Sequence, residues 1–350
     1  MSRDQAKSPT MPMRPLGRGG PIVSQLALGT MTFGDETSEA EAFRQLDLFV
    51  DHGGTFIDTA NVYGAGASEE IIGRWARQRG GIDELVLSTK GRFKPVPGSH
   101  GASRRNLTRS LHASLKRLQM EAVDVYFIHG WDPHTEVAET LATLGDLVSA
   151  GKIHHIAWSN VTGWQLQKIL STAEAGGFPK PVALQPQYNL LDREIELDVL
   201  PCCLEVGLSL TPWSPLGGGW LTGKYTAEAR PTGATRLGEN PNRGVEAYDL
   251  RNTDRTYAIL KVAQTIAERH GRPVAQVALA WLASRPVVAS ILLGARTVEQ
   301  LTENLGAADL VLEPEEIADL TKVSARGVPS YPYGFLERQC GVEVWKTLGT

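Results

Sequence analysis

Eight short apolar runs alternate along the chain with amphipathic helical patterns, and this alternation constrains the fold more than any other feature. The runs are brief and rich in β-branched or other apolar residues, which is typical of buried strands in a parallel sheet. They lie at residues 24–34, 55–60, 85–90, 123–130, 153–160, 182–189, 208–215 and 287–295. Eight strand–helix units in 350 residues predict an α/β protein with a (β/α)8 TIM-barrel fold.

The segments between the runs carry apolar residues at helical spacing. Ser38 and Glu41 predict a capping box at the start of one helix, and Gly53 predicts its end. A leucine stripe follows Ser103, and another apolar stripe ends before Gly151. Because such stripes normally bury one face of a helix, we expect these helices to pack against a sheet.

A doubly wound sheet is the alternative to a barrel for this alternation. It is disfavoured because no G-x-G-x-x-G motif follows any predicted strand. The polar segment 1–13 is expected to be disordered, and residues 14–350 are expected to form a single barrel domain. One long irregular stretch, residues 226–251, lies between the seventh strand and the next helix. Loops of that length in a compact domain are usually functional or disordered.

Charge, hydropathy and cysteine content limit the partners that the sequence predicts. The net charge of −4 gives no reason to expect nucleic acid, and no apolar run approaches the roughly 18 residues of a membrane helix. The three cysteines form neither a C-x-x-C motif nor a metal-ligand spacing, and the polar N-terminus lacks a signal-peptide core. We therefore expect a cytoplasmic protein without a metal, membrane or nucleic-acid partner, and the oligomeric state stays open.

Residues 217–225 read GGGWLTGKY, which from Gly218 matches the first seven positions of a nucleotide-binding P-loop. The eighth position should be Ser or Thr to hold a magnesium ion, but Tyr225 stands there. The segment also lies past the middle of the chain, whereas a P-loop follows the first strand of its domain. Lys224 and the glycines still indicate that this segment binds a phosphate.

Polar residues end most of the predicted strands. Asp58, Lys90 and His129 each stand at the end of an apolar run. In a parallel barrel the C-terminal ends of the strands converge on the face that carries the active site. Further polar residues at strand ends are Ser159, Asn160, Gln185, Trp213 and Ser214. Each alone has an ordinary structural explanation, such as capping a turn, but their convergence predicts an active site.

The chain resembles the aldo-keto reductases in seven successive segments: FIDTANVYG, STK, YFIH, AWSN, LQPQYN, WSPLGGGWLTGKY and LLGARTVEQLTENLGA. The resemblance covers roughly residues 14–325. It implies a (β/α)8 barrel, in agreement with the count of strand–helix units. It also implies that the chain binds NAD(P)H without a Rossmann motif, which accounts for the missing glycine fingerprint.

The resemblance further implies a catalytic tetrad of Asp58, Tyr63, Lys90 and His129. Tyr63 would be the general acid, although a free tyrosine, with a pKa of about 10, is a poor acid at neutral pH. Lys90 is expected to lower the pKa of Tyr63 through its positive charge, and Asp58 is expected to hold Lys90 in place. His129 would donate a hydrogen bond to the carbonyl oxygen of the substrate.

An NADP(H) site is implied by the same resemblance. Trp213 would stack on the nicotinamide ring, Lys224 would reach the phosphates and Arg296 would reach the 2′-phosphate. The other implied cofactor-binding residues are Gly29, Thr30, Met31, Asp58, Ser159, Asn160, Gln185, Ser214, Pro215, Leu216, Gly218, Arg236, Gly294, Gln300, Glu303 and Asn304. The glycine run at 217–219 departs from the usual motif and leaves the individual pyrophosphate contacts open.

These observations predict an NADPH-dependent oxidoreductase that reduces an aldehyde or ketone to an alcohol by hydride transfer. The implied substrate-binding residues are Phe33, Tyr63, His129 and Trp131, which fit a hydrophobic or ring-containing carbonyl compound, although a sugar also stacks on tryptophan. An alternative of the same fold is an NADPH-binding regulatory subunit of an ion channel with weak turnover. A barrel aldolase that uses Lys90 as a Schiff base is a third reading, but it leaves the nucleotide motifs unexplained.

Overall fold

A computed structural model describes residues 11–342, apart from residues 234, 241 and 243. Its strands are β1 (Met13–Pro15), β2 (Ile22–Ser24), β3 (Leu26–Gly29), β4 (Phe56–Asp58), β5 (Val86–Gly91), β6 (Val123–Ile128), β7 (Ile153–Ser159), β8 (Ala183–Gln185), β9 (Ser209–Leu210) and β10 (Ile291–Leu293). The last eight form one parallel sheet in the order β10-β3-β4-β5-β6-β7-β8-β9. Each of these eight lies in one of the predicted apolar runs, with β5 extending one residue further.

Backbone hydrogen bonds between β9 and the approach to β10 close this sheet into a barrel. The amide of Leu210 donates to the carbonyl of Val287 at 2.7 Å, and the amide of Ala289 donates to the carbonyl of Leu210 at 2.9 Å. The amide of Leu292 donates to the carbonyl of Pro212 at 3.0 Å. The predicted (β/α)8 barrel is therefore confirmed.

The antiparallel hairpin of β1 and β2 covers the N-terminal end of the barrel. Leu16 and Val23 are fully buried and pack with the interior residues of the strands. The amide of Gly17 donates to the hydroxyl of Ser209 at the start of β9 (2.7 Å). The fold starts before the predicted boundary at residue 14, because Met11 is already buried in the core. Residues 1–10 of the segment expected to be disordered lie outside the described residues.

Helices surround the barrel, and further helices follow its last strand along the chain. They are α1 (Glu39–Asp51), α2 (Ala67–Arg79), α3 (Arg104–Leu118), α4 (Val137–Ser149), α5 (Gly163–Gly176), α6 (Val199–Val206), α7 (Arg236–Glu239), α8 (Tyr248–Arg251), α9 (Asp254–His270), α10 (Val274–Ala283), α11 (Val298–Leu305), α12 (Pro314–Ser324) and α13 (Tyr333–Cys340). Helix α9 packs against α10 and α12. Among the described residues, no helix is long and apolar enough to cross a membrane.

Helix α1 starts after Ser38, but its cap differs from the predicted capping box. The hydroxyl of Ser38 accepts a hydrogen bond from the amide of Glu41 at 3.4 Å. The carboxylate of Glu41 instead accepts from the amide of Val298 at 2.5 Å, in the first turn of α11. The second half of the predicted box is therefore wrong, because Glu41 satisfies an otherwise unpaired amide of the neighbouring helix.

The irregular segment 226–251 includes the short helices α7 and α8 and a 3-10 turn, Gly244–Glu246, and its described residues pack beside the end of β9. Tyr248 is buried and stacks on Trp220, with ring centroids 5.6 Å apart. Arg251 pairs with Asp192 at 2.5 Å. These contacts anchor the C-terminal part of the segment to the barrel face where the strands end.

Candidate active site

The alternation of side chains along the strands directs three polar residues into the mouth of the barrel. Asp58 stands two positions after the interior residue Phe56, and His129 stands two positions after the interior residue Phe127. Lys90 lies on the interior face of β5, opposite Phe127 in the register with β6. The side chains of Asp58, Lys90 and His129 consequently meet at the C-terminal end of the barrel.

Lys90 is fully buried, and its ammonium group has three partners. It forms a hydrogen-bonded ion pair with Asp58. It also donates to the carbonyl of Thr59 at 2.9 Å and to the hydroxyl of Tyr63 at 3.2 Å. Burial opposes the charge of Lys90, but Asp58 and Tyr63 together outweigh burial and raise the pKa of Lys90. A charged ammonium group is therefore held against the phenol oxygen.

Asp58 is held in turn by two neutral donors. The hydroxyl of Ser88 donates to Oδ1 at 2.6 Å, and Nε2 of Gln185 donates to the same oxygen at 3.2 Å. Lys90 binds the other carboxylate oxygen. A buried carboxylate is costly unless its oxygens are paired, and here both are.

Tyr63 begins a 3-10 turn, Tyr63–Gly66, that returns the chain over the mouth. Gly64 and Ala65 have left-handed φ angles of 53° and 55° in this turn. Burial raises the pKa of Tyr63, and the charge of Lys90 lowers it only in part. The expected net lowering is therefore not found in the structure, because loss of solvent outweighs the neighbouring ammonium group.

His129 is nearly buried, with 9% of its surface exposed, and lies among aromatic rings. Its ring is edge-on to Tyr63 at 5.9 Å and tilted against Phe93 at 4.4 Å between centroids. Burial lowers the pKa of His129 to about 2, and the charges of Lys90 and Arg92 contribute. The imidazole is therefore neutral, and its Nδ1 has no partner in the described part of the chain. A neutral imidazole carries one N–H, which suits a hydrogen bond to a carbonyl oxygen.

Asn160, at the end of β7, connects His129 with Trp213. Its Nδ2 donates to the carbonyl of His129 at 2.9 Å, and its Oδ1 accepts from the indole of Trp213 at 3.1 Å. Ser159 donates to the carbonyl of Gln185 at 2.7 Å. The residues predicted to hold the carboxamide of the cofactor thus lie together, between His129 and the indole that is predicted to stack on the nicotinamide.

Three successive glycines shape the turn Gly217–Thr222 after β9. Their φ angles are 57°, 69° and 94°, in the left-handed region that favours glycine. A Cβ atom on Gly218 would lie 2.6 Å from the carboxyl carbon of Glu246. The departure of this glycine run from the usual motif therefore has a reason, since the turn and the close carboxylate both need glycine.

Lys224, Arg236 and Arg296 form a group of cations near this turn. Burial lowers the pKa of Lys224, and the charges of Arg296 and Arg236 lower it further. Arg236 pairs with Glu246 at 2.7 Å. A group of cations of this kind is suited to a phosphorylated ligand, because each phosphate oxygen can accept from a lysine or arginine side chain.

Arg296 also has acidic neighbours. Its Nε lies 3.1 Å from a carboxylate oxygen of Glu36, and its Nη2 lies 2.6 Å from Glu239. Its backbone amide donates to Oε1 of Gln300 at 2.9 Å. The guanidinium group predicted to meet the 2′-phosphate is therefore already paired in this structure.

The remaining residues that were predicted to bind cofactor or substrate differ in how much of their side chain is exposed to solvent. Thr30 is buried and donates to the carbonyl of Asp58 at 3.0 Å, whereas Met31 is exposed. Phe33 is fully buried in the core, so its ring offers no surface to a substrate here. Other predicted cofactor residues lie near the ends of strands: Gly29 is the last residue of β3, Pro215 and Leu216 follow Ser214, and Gly294 follows β10. Two more lie in α11, where Glu303 is exposed and Asn304 is buried.

Four residues of the site were not predicted from the sequence: Thr59, Ser88, Arg92 and Glu246. Ser88 shares the interior face of β5 with Lys90, so the period of two could have found it. Arg92 follows β5 with a φ of 110°, and its guanidinium donates to the carbonyl of Trp131. Glu246 lies in the irregular segment, where no periodicity marks a buried residue.

A closed (β/α)8 barrel with polar residues gathered at its C-terminal mouth defines the class of protein, an α/β-barrel with an active-site face. The Aldo/keto reductase family model matches residues 25–325 of the chain. The chain therefore belongs to the aldo/keto reductase family.

Relatives with several different names support this membership. The chain is 36% identical over 319 residues to the uncharacterized oxidoreductase YrpG of Bacillus subtilis, covering 88% of this chain and 94% of that protein. It is 32% identical over 337 residues to an aryl-alcohol dehydrogenase [NADP(+)] of Phanerodontia chrysosporium, with coverages of 89% and 86%. It is 35% identical over 305 residues to a probable voltage-gated potassium channel subunit beta of Arabidopsis thaliana, with coverages of 86% and 92%. The family and the oxidoreductase names identify oxidoreduction as the general activity.

Proposed function

We propose that the chain uses NADPH to reduce an aldehyde or ketone to an alcohol, with Tyr63 as the general acid. One observation carries this proposal: the hydroxyl of Tyr63 lies 3.2 Å from the buried ammonium group of Lys90 and beside the neutral ring of His129. A proton donor, a cation and a neutral hydrogen-bond donor thus surround one point at the mouth of the barrel. A carbonyl oxygen at that point would meet all the groups that its reduction needs.

The mouth also fits a phosphorylated dinucleotide. Trp213 is oriented by Asn160, and the glycine turn at 217–219 has no side chains of its own, although the side chains of Glu246 and Lys224 lie against it. Lys224, Arg236 and Arg296 supply cations for the phosphates. NADPH held by these residues would supply the hydride.

The proton-transfer chemistry belongs to the side chains of the chain itself. Tyr63 keeps its proton in the resting protein, because burial raises its pKa. As negative charge develops on the carbonyl oxygen, Tyr63 donates this proton and His129 donates a hydrogen bond to the same oxygen. Lys90 stabilises the phenolate that remains, since a neighbouring ammonium group favours the charged form. Asp58 keeps Lys90 in position.

Aromatic side chains beside His129 favour a ring-containing carbonyl substrate. The Arg92 guanidinium lies over the ring of Phe93 at 5.0 Å and reaches the backbone of Trp131. Trp131 meets Trp164 edge-on at 5.3 Å, and Trp164 is 62% exposed. A flat molecule could therefore stack along these rings while its carbonyl group meets His129. The name of the aryl-alcohol dehydrogenase relative agrees with this substrate class.

A regulatory subunit that binds NADPH and turns over weakly is the second candidate. The relative from Arabidopsis thaliana named as a potassium channel subunit favours it. The presence of His129 beside Tyr63 favours an enzyme, because a protein that only binds NADPH does not need a donor for a carbonyl oxygen.

Measuring NADPH oxidation with a panel of carbonyl compounds tests the proposal. The panel should contain aryl aldehydes, dicarbonyls and sugars, and NADPH binding should be measured separately by tryptophan fluorescence. Turnover of aryl aldehydes that is lost in Tyr63→Phe is the expected result. Tight NADPH binding without turnover of any compound would favour the regulatory subunit, and absence of NADPH binding would contradict both.

A further inference from the structure

Glu246 is a buried carboxylate among the residues predicted to bind the phosphates of the cofactor. It is only 4% exposed. One carboxylate oxygen accepts from the hydroxyl of Ser214 at 2.6 Å, and the other accepts from Nε of Arg236 at 2.7 Å. A Cβ atom on Gly218 would lie only 2.6 Å from the carboxyl carbon of Glu246, so a side chain at that position would clash with the carboxylate. The carboxylate thus touches three of the predicted phosphate-binding residues.

These contacts are the ones that a phosphate group would use. A hydroxyl and a guanidinium group donate to phosphate oxygens as well as to carboxylate oxygens. Glycines with left-handed backbone angles allow an anion to approach the main chain closely. Two anions at the same donors repel each other, so the carboxylate of Glu246 and a phosphate exclude one another.

The backbone of Glu246 is anchored independently of its carboxylate. The indole of Trp220 donates to the carbonyl oxygen of Glu246 at 3.1 Å, and Tyr248 stacks on the same indole. A rotation of the long Glu246 side chain would therefore release Ser214 and Arg236 without detaching the segment 226–251 from the barrel.

We propose that Glu246 is an internal competitor of the cofactor, with a carboxylate that occupies the pyrophosphate position in the cofactor-free protein and is displaced by NADPH. This inference rests on the proposed function, because it assumes that NADPH binds at the mouth. In the free protein the carboxylate offsets the repulsion between Arg236 and Lys224. The same contact weakens cofactor binding, since only molecules with a displaced carboxylate are competent to bind.

Glu246→Gln tests this competition, because it removes the charge and keeps the shape. If the displaced state is populated at about 10% or less, the variant should bind NADPH about tenfold more tightly or better. Inorganic pyrophosphate should gain affinity in the same way, whereas adenosine 2′-monophosphate, which lacks the pyrophosphate, should not. Dissociation constants are measured by tryptophan fluorescence on the full chain freed of cofactor.

Thermal unfolding gives a second readout that does not depend on activity. The cofactor-free variant should melt below the unsubstituted protein, because Arg236 has lost its partner, and NADPH should raise the melting temperature of the variant by more. Asp249→Asn is the matched control: it removes the same charge from the same segment, where Asp249 pairs with Arg230 at the surface. It should leave NADPH affinity unchanged.

The possible results separate this proposal from the proposed function. Unchanged or weaker NADPH binding by Glu246→Gln would overturn the competition, and weaker binding would make Glu246 a positioning residue for Ser214 and Arg236. If neither protein binds NADPH, the proposed function fails instead. If Glu246→Gln does not fold, Glu246→Asp is the second variant. Its side chain keeps the charge but is too short to contact Ser214 and Arg236 together, so its affinity for NADPH should still be higher than that of the unsubstituted protein.

Discussion

Replacing Tyr63 with Phe examines the proposed proton transfer with the smallest structural change. The substitution removes one oxygen atom and keeps the ring that lies edge-on to His129. Lys90 loses one of its three partners but retains Asp58 and the carbonyl of Thr59. Because the buried ammonium group stays paired, we expect the free energy of unfolding to fall by only about 1 kcal/mol.

The loss in catalysis should be much larger than the loss in stability. General acid catalysis contributes about 10²- to 10⁴-fold in rate, or about 3–5 kcal/mol of activation free energy. We expect kcat for carbonyl reduction to fall by that factor in Tyr63→Phe, measured from the loss of NADPH absorbance. The Kd for NADPH should stay within a few-fold. A variant that reduces its best substrate at a near-normal rate would refute the assignment of Tyr63.

The pH profile of kcat follows from the same groups. Burial raises the pKa of Tyr63, so the phenol holds its proton throughout the neutral range. The rate of reduction should therefore decline only above about pH 10, the ordinary pKa of tyrosine. His129, with a pKa of about 2, should add no acidic limb between neutrality and mildly acidic pH. An alkaline limb near pH 8 would show that Lys90 outweighs burial after all.

Lys90→Met should cause a similar loss of rate, but the structure shows that it needs a companion substitution. Alone it leaves the carboxylate of Asp58 buried without its cation, which costs about 3–5 kcal/mol of stability. Asp58→Asn in the same chain removes that charge. The loss of rate in this double variant should not increase when Tyr63→Phe is added, because the residues serve one proton transfer.

Four further outcomes are expected. NADPH should bind at least about tenfold more tightly than NADH, and Arg296→Ala should erase most of that preference. NADPH should slow proteolysis within residues 226–251, which are predicted to become ordered over the pyrophosphate; an unchanged cutting rate would contradict this. The free energy of unfolding should decrease as the pH falls below about 6.5, because residue 129 takes up a proton in the unfolded chain but stays neutral in the folded protein. This decrease should reach up to about 1.4 kcal/mol per pH unit, and His129→Asn should flatten it. Trp164→Ala should raise KM for two-ring aldehydes about fivefold and leave short aliphatic aldehydes unchanged.

The barrel was predictable because its signal is local and repeated. Each apolar run carries its own period and length, and eight such runs leave few arrangements for a chain of this size. The convergence of Asp58, Lys90 and His129 follows from the same regularity, since parallel strands of a barrel end on one face. The half-formed capping box at Ser38 shows where local pattern reaches its limit, because Glu41 found a better partner in α11.

The chemistry of the site depends on quantities that no local pattern carries. The pKa of Tyr63 is a balance between burial and the charge of Lys90, and burial is known only once the fold closes around the phenol. Glu246 poses the same difficulty, because its segment has no period and its carboxylate is buried only by the path that the segment takes. In both cases an ionisable group lies where solvent is excluded. At Tyr63 burial outweighs the charge of Lys90, whereas the carboxylate of Glu246 is paired with Ser214 and Arg236 and, in our proposal, yields these partners to a phosphate. A site built in this way would hold its catalytic charges fixed and leave its cofactor exchangeable.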